Sequence, residues 1–285
     1  MDTRAKVTGK TLYAADIELP NLHHGKIIFA GFPRAKLLKI DTEKAGKRVF
    51  CGMCHNVNHP VNGLPLEATY TEWKNGPYAK EGIQCQDCHM TPGAGVTKPN
   101  PGQLTSFSET RPYIYSHSIV GGNFAVAGLL GSEEHKNLAQ ERLKAAGKVE
   151  ILGSSAVRTA EGIAFKVKVS NVGAGHYLPT GLTETRQMWL HITVKDNSGK
   201  MLWESGALDA KGEIKPGAVI YNTVIADKNG RHTDRVWEAA KITYDHRIPP
   251  KSSVVENIQV KSADLPMTVK VSVELMYRPA PQDHR

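Results

Sequence analysis

The sequence contains no run of about 18 apolar residues, and this absence excludes a transmembrane helix of ordinary length. It has no glycine-rich phosphate loop and no Ser-His-Asp set, the patterns that indicate nucleotide hydrolysis and serine-type catalysis. The net charge is +8. The lysines are nevertheless dispersed and accompany no nucleic-acid motif, so we expect no nucleic acid partner. The opening Met1-Asp2-Thr3-Arg4 lacks the apolar core of a signal peptide.

Cysteine is also scarce, and all four cysteines lie in two short runs, Cys51-Gly52-Met53-Cys54-His55 and Cys85-Gln86-Asp87-Cys88-His89. Each run reads Cys-x-x-Cys-His, the attachment signature of c-type haem, in which two thiols bond the porphyrin and the adjacent imidazole ligates the iron. The sequence therefore predicts two covalent haem c groups, with His55 and His89 as proximal iron ligands. The predicted cofactor-binding residues are Cys51, Cys54, His55, Cys85, Cys88 and His89.

A zinc site is the alternative use of the same cysteines. Paired Cys-x-x-Cys runs in zinc ribbons are usually separated by about 15–20 residues. Residues 55 to 84 separate Cys54 from Cys85, which is a longer gap. A redox dithiol or a pair of short disulfides would not require histidine directly after both cysteine pairs. Zinc stays open as the alternative to haem.

Composition and periodicity divide the chain into three parts. Residues 1–46 show short β segments. Residues 47–148 are rich in loop residues and include an amphipathic helix between Gly131 and Gly147. Residues 149–285 alternate apolar and polar positions, for example at Phe165, Val167 and Val169, as half-buried antiparallel strands do. We therefore predict an α+β protein with a loop- and helix-rich dihaem domain followed by an antiparallel β-sandwich, after a short β-rich amino-terminal segment.

The segment CGMCHNVNHPVNGLPLEATYTEWKNGPYAKEGIQCQDCHMTPG resembles multihaem c-type cytochromes of anaerobically respiring bacteria and archaea. The resemblance covers about residues 48–278 and continues through Glu184-Thr185-Arg186, Trp237-Glu238-Ala239-Ala240 and His246-Arg247-Ile248-Pro249-Pro250. In many relatives a histidine that reaches another haem stands where this chain has Tyr78. A second resemblance covers residues 5–45, which look like the start of the molybdenum-binding subunit of the xanthine dehydrogenase and aldehyde oxidase family, its hammerhead domain. That second resemblance implies a β-rich fragment at residues 1–46 and no hydroxylase activity.

The chain has twelve histidines, and only two of them are used as proximal ligands. The cytochrome resemblance implies His117, in a Ser-His-x-x-x-Gly-Gly segment, and His176, in a Gly-His-x-x-Pro-Thr-Gly segment, as candidate distal iron ligands. Glycines on both sides of His176 also permit close approach to a flat ligand. His59 is a weaker candidate, and His23 and His24 are either turn residues or a ligand delivered by a mobile arm. Each of these histidines could instead serve a structural role.

These observations predict electron transfer through two haems that are ligated by histidine on both faces, with no catalytic residue assigned. We expect redox protein partners as donor and acceptor, possible self-association or another haem subunit, and no integral membrane span. Because haem is attached outside the cytoplasmic membrane, we expect a periplasmic or extracellular protein. Its export would then use a removed leader, a carrying partner or another natural start. The alternatives are an oxidoreductase that reduces a small nitrogen or sulfur oxyanion at one open haem, a haem subunit of a molybdenum hydroxylase, and a unit of a cytochrome filament.

Overall fold

The computed structural model describes residues 49–95, 100–103, 105–116, 118–262 and 264–281. The predicted amino-terminal fragment 1–46, with His23 and His24, lies outside the described residues, and so does His117. The boundaries predicted at residues 46/47 and 148/149 remain predictions. No described helix is long and apolar enough to cross a lipid bilayer.

The region that carries the cysteine runs is built from short elements. Its helices and strands are α1 (Val49–Gly52), β1 (Val57–Asn58), β2 (Pro65–Glu67), α2 (Thr69–Asn75), α3 (Pro77–Lys80), α4 (Gln86–His89), α5 (Phe124–Leu129) and α6 (Glu133–Ala146). Among the described helices, only α6, with 14 residues, is longer than two turns. It ends at Gly147, whose extended backbone leads directly into the first long strand.

The second half of the chain is made of antiparallel strands. They are β3 (Gly147–Thr159), β4 (Gly162–Asn171), β5 (Gln187–Lys195), β6 (Met201–Ser205), β7 (Ile220–Tyr221), β8 (Thr223–Ala226), β9 (Lys241–Asp245), β10 (Ser253–Lys261) and β11 (Lys270–Arg278). One sheet has the order β10-β4-β3, and another has the order β11-β5-β6 with β7 paired to β5. Strands β8 and β9 form a two-stranded sheet, as do β1 and β2.

The hydrophobic core is shared by the two larger sheets. Val167 and Val169 of β4 are fully buried together with Leu190 and Val194 of β5. The register pairs Leu190 with Leu275 of β11, so the apolar faces that period-two alternation predicts lie in this core. Burial of these side chains is the main favourable term that holds the sheets together.

The predicted fold class is wrong, because the protein is predominantly β, with several antiparallel sheets. Within the described residues, the helices that precede α6 have seven residues or fewer, so they do not form a helix-rich cytochrome domain. Helices of this length are marginal by themselves and depend on packing against neighbouring elements. The prediction gave too much weight to local helix signals in the region of the cysteine runs, whereas the strands of the second half make up most of the described regular structure.

Candidate haem-binding site

Both Cys-x-x-Cys-His runs wind into a helical turn. In the first run the backbone N–H of His55 donates to the carbonyl of Cys51 at 2.8 Å. In the second run the N–H of His89 donates to the carbonyl of Cys85 at 3.0 Å. Residues three and four apart in such a turn share one face, so each run presents its two thiols and its imidazole together. No disulfide joins any two of the four cysteines, all of which lie in the described part of the chain.

The two runs lie side by side. The thiol of Cys85 is hydrogen-bonded to the thiol of Cys51. Burial raises the pKa of Cys85 to about 12, and the charge of Cys51 and this hydrogen bond add to the increase. Burial likewise raises the pKa of Cys88. Among the described residues, no three His, Cys, Asp or Glu side chains are grouped so that they could hold a metal ion. The zinc alternative therefore finds no ligand cluster in this part of the chain.

His89 faces His176, which comes from the loop after β4. The two ring centroids are 6.2 Å apart, and the ring planes are 16° from parallel. Nδ1 of His89 donates to the carbonyl of Val120 at 2.7 Å, and Nδ1 of His176 donates to the carbonyl of Tyr177 at 2.9 Å. Because each Nδ1 carries the proton, each Nε2 keeps a lone pair that can bind a metal.

Burial keeps this histidine pair neutral. Burial and then the charge of the neighbouring His176 lower the pKa of His89 to about 4. Burial also lowers the pKa of His176. A neutral imidazole is the form that ligates iron, so the rings are in the ligating state at neutral pH without any change of protonation.

His55 lies in a more open setting than His89. Its Nδ1 hydrogen-bonds Oε1 of Glu67 at 3.0 Å, and its side chain is 60% exposed. The carboxylate of Glu67 on β2 holds Nδ1, so Nε2 is the nitrogen left to face a ligand. His55 lies close enough to the other two rings for its charge to affect the pKa of both His89 and His176. The structure thus brings together three of the predicted iron ligands.

His59, the weaker distal candidate, has both ring nitrogens engaged within the protein. Its Nε2 donates to the carbonyl of Trp237 at 3.0 Å, and its Nδ1 accepts from the backbone N–H of Val61 at 3.2 Å and of Asn62 at 3.4 Å. The residue is buried. The bond to Trp237 holds the loop after the first run in place. With Nε2 donating and Nδ1 accepting, His59 has no free lone pair for iron.

Several residues that hold the His176 loop were not predicted from the sequence. Glu72 of α2 accepts from the backbone N–H of Tyr177, and Arg247 pairs with Glu72. Asn171, at the end of β4, donates to the carbonyl of His176. No local pattern reveals these roles, because Glu72 and Arg247 are 175 positions apart. The sequence shows only that Glu72 directly precedes Trp73, and the burial of both residues is visible in the structure alone.

Comparison with known proteins adds one structural likeness. The chain is similar in structure to a penta-heme cytochrome c552 from Thermochromatium tepidum, with 24% sequence identity and a TM-score of 0.56. The match covers 85% of this chain and 51% of that one, so this chain spans about half the length of the cytochrome. No protein-family model and no curated protein matches the chain. The likeness confirms a fold of the multihaem cytochrome kind.

Proposed function

We propose that the protein transfers electrons through two covalently bound c-type haems, and that His89 and His176 are the axial ligands of one iron. The observation that carries this proposal is the pair of near-parallel imidazoles 6.2 Å apart, each with Nδ1 bonded to a backbone carbonyl. One ring belongs to a haem-attachment run, and the other belongs to a loop of the β-rich half. Cys85 and Cys88 would attach this haem.

The separation of the two rings fits a shared metal. An imidazole nitrogen lies about 2.0 Å from a bound metal and about 1.1 Å from its own ring centroid, so two imidazoles on opposite faces would have centroids about 6.2 Å apart. The observed centroid separation of His89 and His176 is 6.2 Å. The geometry therefore supports both rings as ligands of the same iron.

The residues around the pair suit electron transfer rather than substrate binding. A bound haem would supply the one-electron couple, whose potential depends on the axial ligands and on burial. Hydrogen bonds from Nδ1 to the carbonyls of Val120 and Tyr177 orient the rings and raise their basicity. With His89 and His176 both bound to the iron, no position would remain for a substrate, so we propose no catalytic residue here.

Cys51, Cys54 and His55 would hold the second haem, and His117 remains its candidate sixth ligand. The contact between the thiols of Cys51 and Cys85 supports two haems at close range, as electron transfer between them requires. Under this proposal the protein exchanges electrons with redox protein partners. It would act where c-type haems are attached, in the periplasm or outside the cell.

A second candidate function is reduction of a small nitrogen or sulfur oxyanion at the haem of His55. An open distal face on that haem would bind carbon monoxide when reduced. A haem with two histidine ligands resists carbon monoxide, so this reagent separates the two candidate functions.

The test uses protein made with the haem-attachment machinery, in wild-type and His176→Ala forms. We expect the denatured wild-type protein to keep the mass of two haems, and the folded protein to show two low-spin haems and no carbon monoxide adduct. His176→Ala should keep both haems by mass but convert one to a high-spin form that binds carbon monoxide. His191→Gln is the matched control, because both nitrogens of His191 contact glutamates on a distant strand face.

Each result that differs from these expectations rules out one part of the proposal. A wild-type mass equal to the bare polypeptide would refute covalent haem. Two low-spin haems in His176→Ala would refute the axial pair. One carbon monoxide adduct on the wild-type protein would favour the oxyanion reductase.

A further inference from the structure

The peptide group that joins His176 to Tyr177 is held at both of its polar atoms. Its carbonyl oxygen accepts from Nδ2 of Asn171 at 2.8 Å. Its N–H donates to Oε2 of Glu72 at 3.1 Å. Asn171 is 1% exposed, so its amide is fixed by the core of the β-rich half. Glu72 belongs to α2, which lies between the two haem-attachment runs in the sequence.

Glu72 is a buried carboxylate whose two oxygens are both occupied. Oε2 also accepts from the hydroxyl of Thr180 at 2.7 Å, and Oε1 pairs with the guanidinium of Arg247. Hydrogen bonds to an ionised group are roughly twice as strong as those between neutral groups. Glu72 therefore binds both ends of the segment from Tyr177 to Thr180 and sets the position of this loop relative to α2.

Arg247 completes an ionic cluster under the same loop. Its Nε and Nη2 bond the carboxylate of Asp245 at 2.9 and 2.8 Å, and its guanidinium lies 5.0 Å from the ring centroid of Tyr177. Glu72, Asp245 and Arg247 together carry one formal negative charge, and it is the charge of Glu72 that acts on His176. Removing one partner of a buried ion pair is strongly destabilising, so the cluster resists movement of the loop.

We infer that Glu72 is a positioning residue for the iron ligand His176 and that its charge lowers the midpoint potential of that haem. The bond to the N–H of Tyr177 fixes the backbone at the ligand, and the net negative charge stabilises the ferric state over the ferrous state. This inference rests on the proposed axial pairing of His89 and His176. Glu72 would act through its bond to the N–H of Tyr177 and through its charge.

Two variants separate the two roles of Glu72. Glu72→Gln keeps the shape of the side chain and an oxygen that can accept from Tyr177, but it removes the charge. We expect its haems to stay low-spin while the midpoint potential of one haem shifts to a more positive value. Glu72→Ala removes both the bond and the charge. We expect a fraction of one haem to become high-spin and to bind carbon monoxide when reduced.

The matched control is Glu81→Gln. Glu81 also pairs with a cation, Lys251, and follows the neighbouring helix α3, but its side chain is 46% exposed. We expect this variant to leave both the spin states and the midpoint potentials at wild-type values. The measurements are the absorption spectrum with and without carbon monoxide and a redox titration, so neither depends on turnover with a partner.

The outcomes distinguish this inference from the proposal on which it rests. A reduced Glu72→Ala protein that stays inert to carbon monoxide would overturn the positioning role, provided that His176→Ala binds it. A Glu72→Gln protein with wild-type potentials would overturn the role of the charge, and this readout remains even if Glu72→Ala fails to fold. If the reduced His176→Ala protein also fails to bind carbon monoxide, the axial pairing of His89 and His176 is refuted instead.

Discussion

The imidazole rings of His89 and His176 lie 6.2 Å apart and within 16° of parallel, although one ends the short helix α4 and the other lies in the loop between β4 and β5. The site thus joins a haem-attachment run to the β-rich half of the chain. A substitution that moves this loop away from α2 and α6 should therefore change the iron ligands of one haem without breaking its thioether bonds.

The two cysteine pairs should hold their haems separately. Replacing Cys85 and Cys88 by alanine removes both thioether bonds of one run, so we expect the denatured protein to retain the mass of one haem instead of two. Replacing Cys51 and Cys54 by alanine is the matched variant and should also leave one haem. Mass spectrometry of the denatured proteins measures this. Retention of two haems in either double variant would contradict the assignment.

Two glycines of the His176 loop should respond differently to alanine. A Cβ at Gly173 would lie 2.3 Å from the carbonyl oxygen of Ala145, which is backbone, whereas a Cβ at Gly175 would meet the side chains of Trp73 and Tyr78 at 3.5 Å. We expect Gly173→Ala to lower the free energy of unfolding by about 1–3 kcal/mol and to loosen one haem ligand, since the loop must move away from α6. Gly175→Ala should stay close to wild type. Urea denaturation followed by circular dichroism compares them, and equal stabilities would show that the loop does not rest on α6.

The stability of the β-rich half should depend on the protonation of His191. Hydrogen bonds to Glu204, and less strongly to Glu274, raise the pKa of His191. A pKa that is higher in the folded state means that the charged ring stabilises the fold in full below the unfolded pKa of about 6.5, and that this stabilisation is lost as the pH rises through the folded pKa. The pair is partly exposed, so we expect an effect of at most about 1 kcal/mol.

The measurement for His191 is the unfolding free energy of wild type minus that of His191→Gln between pH 5 and pH 9. This difference should shrink as the pH rises. His232→Gln is the control, because His232 and its partner Asp234 are 64% and 60% exposed. A difference that does not change with pH would show that the two glutamates do not stabilise the protonated ring.

The shared core of the two larger sheets should dominate stability. Leu190 is fully buried in this core, and Leu190→Ala should lower the free energy of unfolding by about 2–5 kcal/mol because it removes buried methyl groups and leaves a cavity. Leu208 is 46% exposed, and Leu208→Ala should change stability by less than about 0.5 kcal/mol. Urea titration measures both. If Leu190→Ala lowers the free energy of unfolding only slightly, this core is not the main source of stability.

Local features of this protein were determined by its sequence. The structure forms a single helical turn at both Cys-x-x-Cys-His runs, and its bonds between residues three and four apart need no distant partner. Alternation along β4 predicted the buried face of Phe165, Val167 and Val169, since successive strand residues point to opposite faces. The helix-rich domain was predicted wrongly because the described segments before α6 that carry helix signals form helices of seven residues or fewer, which are marginal without packing.

The tertiary structure alone determined which histidines lie next to each other. The pairing of His89 with His176, and the engagement of both nitrogens of His59, depend on contacts between residues far apart in the chain. The bond between Glu72 and Arg247 has the same origin, because it spans 175 positions. Such contacts are set by how the sheets pack and where the loops between them end, and no local spacing of residues encodes that arrangement.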